Sequence, residues 1–246
     1  WSIYNFRKNL IEALQDAGFT IVVYVPRDKH AERIEDIGCR VEHIPIVGDS
    51  TNPWSDLRVI RTYVHRYKCD SVGLACNFTI KPVVYGSLAT RIRKIPSIST
   101  VTGLGTAFLK EDIYTKLARK MYSAALRRTN KVFFQNNDDL FEIQRSYSLR
   151  EDRCVLVPGS GINLEKYQFV KFEERRKNTP VTFLYIGRIL WDKGVGELVE
   201  AAAKVKNLIP DVRFQLLGSL AAANYSTVPK ATMDRWVSEG IVEYLG

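Results

Sequence analysis

Short runs of β-branched and aromatic residues alternate with segments of helical period along nearly the whole chain, and that order constrains the fold more than any other feature. Residues 19–25, 41–46, 71–76, 96–101, 132–135, 153–157, 181–186, 212–217 and 241–245 read as strands. Between them, 30–37, 57–67, 81–93, 112–128, 138–147, 194–207 and 230–238 carry the apolar spacing of helices. Strand and helix in turn predict an α/β architecture, with parallel sheets covered by helices on both faces in the doubly wound, Rossmann-like manner. A further helix opens the chain, with Asn5 as its cap, Leu10, Ala13, Leu14 and Ala17 as its apolar stripe and Gly18 at its end. No strand precedes it, although the first strand of a doubly wound sheet is usually central. The alternation pauses once. Residues 158–167 collect turn formers, and 168–179 are charged and weakly patterned. The expected organisation is a first domain over 1–167, a linker over 168–179 and a second domain over 180–246. The second domain holds only about half of a doubly wound sheet and the first lacks its first strand, so the expectation is a piece of a longer protein.

One strand–helix junction carries chemistry as well as fold. The apolar run 181–186 ends at Gly187-Arg188, and a helix begins near Gly194 with Val195, Leu198, Val199, Ala202 and Val205 on one side. Glycine lets backbone approach a ligand closely. A helix start offers unpaired N–H groups and the positive end of a dipole. Arg188 can fork onto two phosphate oxygens, and Lys193 adds a point charge five residues on. A diphosphate would use both cations. A solvated Arg and Lys on an ordinary turn explain the same residues, and chemistry alone leaves the two readings open.

Charge is distributed unevenly. The net charge is +9, and residues 81–131 hold eleven Lys/Arg against two acids, Glu111 and Asp112, which is the whole excess. A local positive field implies a local anionic partner. On the helix at 112–128, Lys116, Arg119, Lys120, Ser123 and Arg127 fall on one side, and Ile113, Leu117, Met121 and Ala125 on the other, toward a core. With Arg91, Arg93 and Lys94 they form a basic face. The face lacks the interleaved aromatic platforms of nucleic-acid binders. Anionic lipid headgroups and a diphosphate-linked lipid account for it better, and a merely solvated basic helix is the alternative. No run approaches the ~20 apolar residues of a membrane span. Cys39, Cys69, Cys76 and Cys154 are far apart with no CxxC pair, which argues against a zinc site or a disulfide framework and suits a reducing cytoplasm.

Several motifs, in order, resemble retaining family-4 glycosyltransferases of the GT-B fold. Residues 186–194 (IGRILWDKG) and 197–202 (ELVEAA) are similar to the carboxyl-domain motif. Residues 2–10 (SIYNFRKNL), 79–89 (TIKPVVYGSLA) and 101–105 (VTGLG) resemble the branch that adds sugars to undecaprenyl-linked intermediates for capsule, O-antigen or protein glycans. Residues 157–163 (VPGSGIN), with Gly159 and Gly161, resemble the loop that leads into the interdomain linker. The resemblance covers essentially the whole chain.

It implies two Rossmann-like domains facing a cleft, with the acceptor mainly on the first and a nucleotide-sugar, UDP-linked, mainly on the second. It implies Gly187, Arg188 and Lys193 as the donor diphosphate site, no metal and no cofactor. It further implies a bacterial enzyme of the cytoplasm, peripheral at the inner face of the cell membrane, that moves a hexosyl or N-acetylhexosaminyl group with retention to a lipid-linked or polysaccharide acceptor. Residues expected at the acceptor or cleft are Asn5, Arg7, Thr79, Lys81, Thr102, Gly103 and Gly105, because they stand at helix starts or just past strand ends. Two departures matter. The family carries two donor-contacting glutamates at a place expected beyond Gly246, and the His that many members place after the strand at 96–101 is replaced here by Thr102-Gly103. No residue is therefore assigned as catalytic. The competing readings are a non-catalytic nucleotide- or polyanion-binding module of this fold and a nucleotide-sugar epimerase, whose acid/base His and Glu are not evident.

Overall fold

The computed structural model describes residues 1–28, 30–46, 53–104, 113–171, 180–220 and 226–246. The chain forms two compact units, Trp1–Phe169 and Val170–Gly246. Most of the expected linker, 172–179, lies outside the described residues.

The first unit runs α1 (Ser2–Asp16), β1 (Val22–Val25), α2 (Ala31–Glu35), β2 (Arg40–His43), α3 (Pro53–Cys69), β3 (Ala75–Phe78), α4 (Ile80–Arg93), β4 (Ser97–Val101), α5 (Ile113–Leu126), β5 (Lys131–Phe134), α6 (Asn137–Tyr147) and β6 (Cys154–Leu156). All pairings are parallel, in two hydrogen-bonded groups, β1-β2 and β3-β4-β5-β6. Val83, Ala89, Val101, Leu126, Val132, Phe134 and Ile143 are fully buried around the larger sheet. The smaller sheet meets α3 through Tyr24, whose ring packs edge-on against Tyr67 at 5.4 Å. The Tyr24 hydroxyl donates to Asp70 at 2.6 Å, and Arg40 of β2 pairs with the same carboxylate. Gly86 of α4 lies against the buried side chain of Asn77 of β3, and a Cβ there would stand 2.2 Å from Asn77 Oδ1, so a larger residue would displace that amide.

The second unit runs β7 (Thr182–Ile186), α7 (Val195–Leu208), β8 (Arg213–Leu217), α8 (Lys230–Ser238) and β9 (Glu243–Tyr244), with sheet order β7-β8-β9 and parallel pairing throughout. Val195, Val199 and Ala202 of α7 pack with Phe214, Leu216, Met233 and Trp236.

The alternation is as expected, but several faces and edges differ. Asn5 does not cap α1. It lies inside the first turn, where its side-chain amide donates to the Trp1 carbonyl at 2.9 Å. The buried stripe of α1 runs through Ile3, Tyr4 and Ile11, while Leu10 is exposed, because the small β1-β2 sheet contacts the neighbouring arc of the helix. The third strand begins at Ala75 rather than at 71. Ser71 has φ +49° in a turn, and pairing starts only where Ala75 meets Ser97. On α5 the buried arc is Tyr122, Ser123, Ala125 and Leu126, and Leu117 and Met121 are exposed. The helix carries two apolar arcs, and periodicity gives their spacing without saying which faces the sheet. Among the described residues β7 pairs only with β8, and Phe183, Leu184 and Ile186 are exposed.

Candidate functional site

Each unit contributes its own set of residues. In the first unit the four parallel strands β3, β4, β5 and β6 all point their carboxyl ends at one cavity of about 310 Å³. Phe78 ends β3 and Thr79 follows it, Thr102 follows β4, Gln135 follows β5 and Ser160 lies four residues past β6. Helix α1 closes one wall with Ile3, Phe6 and Arg7. In open parallel sheets ligands bind outside the carboxyl ends of the strands, which is where this cavity sits.

Hydrogen bonding defines what the cavity offers. Arg7 lies over the Phe78 ring, 4.5 Å from its centroid, and donates to Ser160 Oγ at 3.0 Å. Burial lowers the Arg7 pKa from its ordinary value, yet an arginine stays charged at any working pH. Gln135 Nε2 also donates to Ser160 Oγ, at 2.9 Å. A hydroxyl that accepts two bonds has only its proton left to give. Ser160 is thus fixed as a donor, held on one side by a cation and on the other by an amide. Thr79 is the N-cap of α4, but its side chain makes no capping bond and its backbone has φ +68° and ψ 163°. That region is essentially reserved for glycine, and a β-branched residue there is strained. Strain of this kind collects at ligand sites, where the surroundings hold a side chain in place. The cavity therefore combines one cation with several hydroxyls, a lining suited to an oxygen-rich ligand such as a sugar or a phosphate.

Of the residues expected from sequence, Arg7, Thr79 and Thr102 line this cavity. Gly103 follows Thr102 with φ +121°. Asn5 and Lys81 are not part of the lining, and Gly105 lies outside the described residues. Gly159 and Gly161 flank Ser160 with φ +84° and +73°, turning the loop so that Ser160 reaches back to α1. Sequence reading missed Phe78, Gln135 and Ser160. Gln135 had a signal, as the last residue of an expected strand, and Ser160 stood inside a motif noted only for its glycines.

In the second unit the turn after β7 is pinned from several sides. The Gly187 N–H donates to the Leu217 carbonyl at 3.0 Å, and the Tyr185 hydroxyl and Leu190 N–H both donate to the Arg188 carbonyl, each at 2.9 Å. Ser226 then fixes the following residues. Its carbonyl accepts from the Trp191 N–H at 2.7 Å, and its hydroxyl accepts from the Asp192 N–H at 2.9 Å. Trp191–Lys193 form a single 3₁₀ turn, and Gly194, with φ +74°, opens α7. Backbone at 187–194 is therefore rigidly held, while the Arg188 and Lys193 side chains are exposed. Two exposed cations on a turn held by these bonds, beside the start of a 14-residue helix, form an arrangement that can neutralise an anion. Glu197 lies in the first turn of α7 and already answers part of the helix dipole.

Two parallel α/β units of this design, each with its candidate residues at strand ends, have the GT-B fold. Residues 6–159 match the glycosyl transferase 4-like domain, and the chain belongs to that family. Over 260 aligned residues the chain is 27% identical to the N,N'-diacetylbacillosaminyl-diphospho-undecaprenol alpha-1,3-N-acetylgalactosaminyltransferase of Campylobacter jejuni, covering 100% of this chain and 66% of that protein. The structure is similar to that of HepE from Anabaena, solved in complex with UDP-glucose, with TM-score 0.68, 17% identity, and coverage of 97% of this chain and 64% of HepE. It is also similar to UDP-GlcNAc 2-epimerase from Neisseria meningitidis, solved with UDP-GlcNAc, with TM-score 0.60, 15% identity, and coverage of 99% and 68%. Both structural likenesses speak to fold alone. The chain spans about two thirds of the length of the curated relative.

Proposed function

We propose that this chain is the acceptor unit and part of the donor unit of a retaining glycosyltransferase that moves a hexosyl or N-acetylhexosaminyl group from a UDP-linked sugar to a lipid-linked acceptor. The observation that carries the reading is the cavity at the ends of β3–β6, lined by Arg7, Thr79, Thr102 and Ser160, in a chain of this family. The Campylobacter relative, a transferase acting on a diphospho-undecaprenol-linked sugar, supports a diphospho-undecaprenol-linked acceptor. In this reading the acceptor's sugar or phosphate oxygens meet the cavity's donors, and Gly187, Arg188 and Lys193 receive the donor diphosphate. No residue of this chain is given the role of a catalytic base, and no metal or cofactor is invoked. The test is transfer of labelled sugar from a panel of nucleotide sugars to an undecaprenyl-diphosphate-linked acceptor by the whole protein, with the product anomer read by NMR. Transfer with an inverted anomer rejects retention. Conversion of a free nucleotide sugar without acceptor would favour the epimerase, and nucleotide binding with no turnover the non-catalytic module.

The strained Thr79 gives a separable prediction. Thr79→Gly relieves a conformation costing about 1–3 kcal/mol, against a glycine penalty of roughly 0.5–1 kcal/mol. Thermal unfolding is expected to shift upward by a few degrees while the acceptor KM rises. An unchanged KM would remove Thr79 from the acceptor site.

The inner membrane face is the proposed location of the reaction. The exposed arc of α5 supports it, with Leu117 and Met121 beside Lys116 and Lys120. Among the described residues no helix is long and apolar enough to cross a membrane. Lys116→Glu/Lys120→Glu is expected to weaken sedimentation with phosphatidylglycerol-containing vesicles by more than tenfold, since each cation near such a surface contributes ~1 kcal/mol. Binding by this variant equal to wild type would reject α5 as the contact.

A further inference from the structure

Helix α3 carries a second apolar arc that its core uses only in part: Ile60 and Val64 are half-buried against that core, and Leu57 is exposed. Val59, Tyr63 and Tyr67 are its buried face. Leu57, Ile60 and Val64 lie on a second face and, with Ile92 of α4, floor a groove of about 480 Å³. Ile92 is 61% exposed. The rim is cationic. Arg61 and Lys68 stand one and three turns along the same face of α3, and Arg93 follows Ile92. His65 completes the lining, which contains no acid. None of Arg61, Lys68 and Arg93 forms a salt bridge among the described residues. The groove lies at the carboxyl end of α4, whereas the cavity of the first unit lies at its amino end, beside Thr79.

We infer that this groove seats a single anionic phospholipid from the membrane surface, with acyl chain along Leu57, Ile60, Val64 and Ile92 and phosphate between Arg61, Lys68 and Arg93. Charge complementarity selects the occupant. Three cations without carboxylate partners call for an anion, and a free phosphate makes no use of the apolar floor. The inference extends the proposed membrane location to a second, lipid-specific contact, and its residues are distinct from those of α5.

The test is sedimentation of the full chain with vesicles of phosphatidylcholine alone and of phosphatidylcholine mixed with phosphatidylglycerol. Arg61→Glu/Lys68→Glu is expected to lower binding to the anionic vesicles roughly thirtyfold or more. Ile92→Asp is expected to lower it as well, and soluble glycerol phosphate is expected not to compete. These side chains are exposed, so circular dichroism should show unchanged folding. Loss of binding in Lys116→Glu/Lys120→Glu with none in the groove variants overturns the groove while leaving α5 as the membrane contact. The converse result supports the groove and rejects α5. Competition by glycerol phosphate overturns a lipid occupant, as does equal binding to both vesicle types. A dimer by light scattering that Ile92→Asp abolishes, without vesicle binding by wild type, assigns the groove to a second copy of the chain and also overturns the inference.

Discussion

Arg188→Ala is expected to weaken nucleotide-sugar binding about 10- to 100-fold in the whole protein, the loss that follows from deleting charge-assisted hydrogen bonds worth ~1.5–3 kcal/mol. The fall in turnover should be at least as large, because negative charge on the leaving diphosphate grows as the glycosidic bond breaks. Arg188→Lys should recover only part of the loss, since an ammonium cannot make the two-pronged contact. Lys193→Ala should cost less than Arg188→Ala, a point charge being removed rather than a fork. The structure makes this a clean experiment. The Arg188 side chain is exposed, and the Tyr185 hydroxyl and Leu190 N–H hold the turn through the Arg188 carbonyl rather than through its guanidinium. A stability change would therefore point away from the donor site. The measurement is donor affinity by calorimetry together with steady-state turnover for the three variants. Wild-type kinetics in Arg188→Ala would reject the diphosphate role.

How much of this could be read from residues alone depended on which kind of information each feature needed. Alternation of strand and helix was legible because period is a local property. The helix expected at 230–238 is α8, and the turn at Gly194 falls where the residues placed it. Phase was not local. On α3 the side chains of Val59 and Leu57 both fit a helical stripe, and only packing against β1 and α4 decides that Val59 is buried and Leu57 exposed. On α5 the same ambiguity left Ala125 buried as expected but Leu117 and Met121 exposed. For β7 the local pattern gives an apolar strand, and its exposure among the described residues goes with pairing to β8 alone. At the candidate site, Arg7, Thr79 and Thr102 were found because they stand at helix starts or strand ends. Ser160 and Gln135 depend on a contact across 153 and 25 residues of chain respectively, which no local pattern encodes.

Gly218 had no signal in the sequence, yet substitution there is expected to be among the most damaging in the second unit. It follows β8 with φ +153°, and a Cβ built on it would stand 1.8 Å from the Gly187 carbonyl oxygen and 2.7 Å from its carbon. The obstacle is backbone, so no side-chain rotation relieves it. Nor can either chain retreat easily. The Gly187 N–H is bonded to the Leu217 carbonyl at 3.0 Å, the Gly218 N–H to the Gly246 carbonyl at 2.8 Å, and the Gly218 carbonyl accepts from the Tyr244 hydroxyl at 2.8 Å. Gly218→Ala must therefore break part of this network or push β7 away from β8, at a cost at or above the ~3 kcal/mol upper end of ordinary overpacking. A domain's whole stability is only ~5–15 kcal/mol, so the second unit should unfold early on heating or in urea. Gly240→Ala is the internal control. Its φ is +70°, but no atom lies within 4 Å of the added carbon, so it should cost only the ~1–2 kcal/mol of a left-handed residue. Urea unfolding and limited proteolysis of both variants separate close approach from backbone conformation, and equal losses in the two would reject the clash. Because the displaced carbonyl belongs to the residue before Arg188, Gly218→Ala should also weaken donor binding in whatever fraction stays folded, linking the packing of two strand ends to the position of the cation proposed to hold the diphosphate.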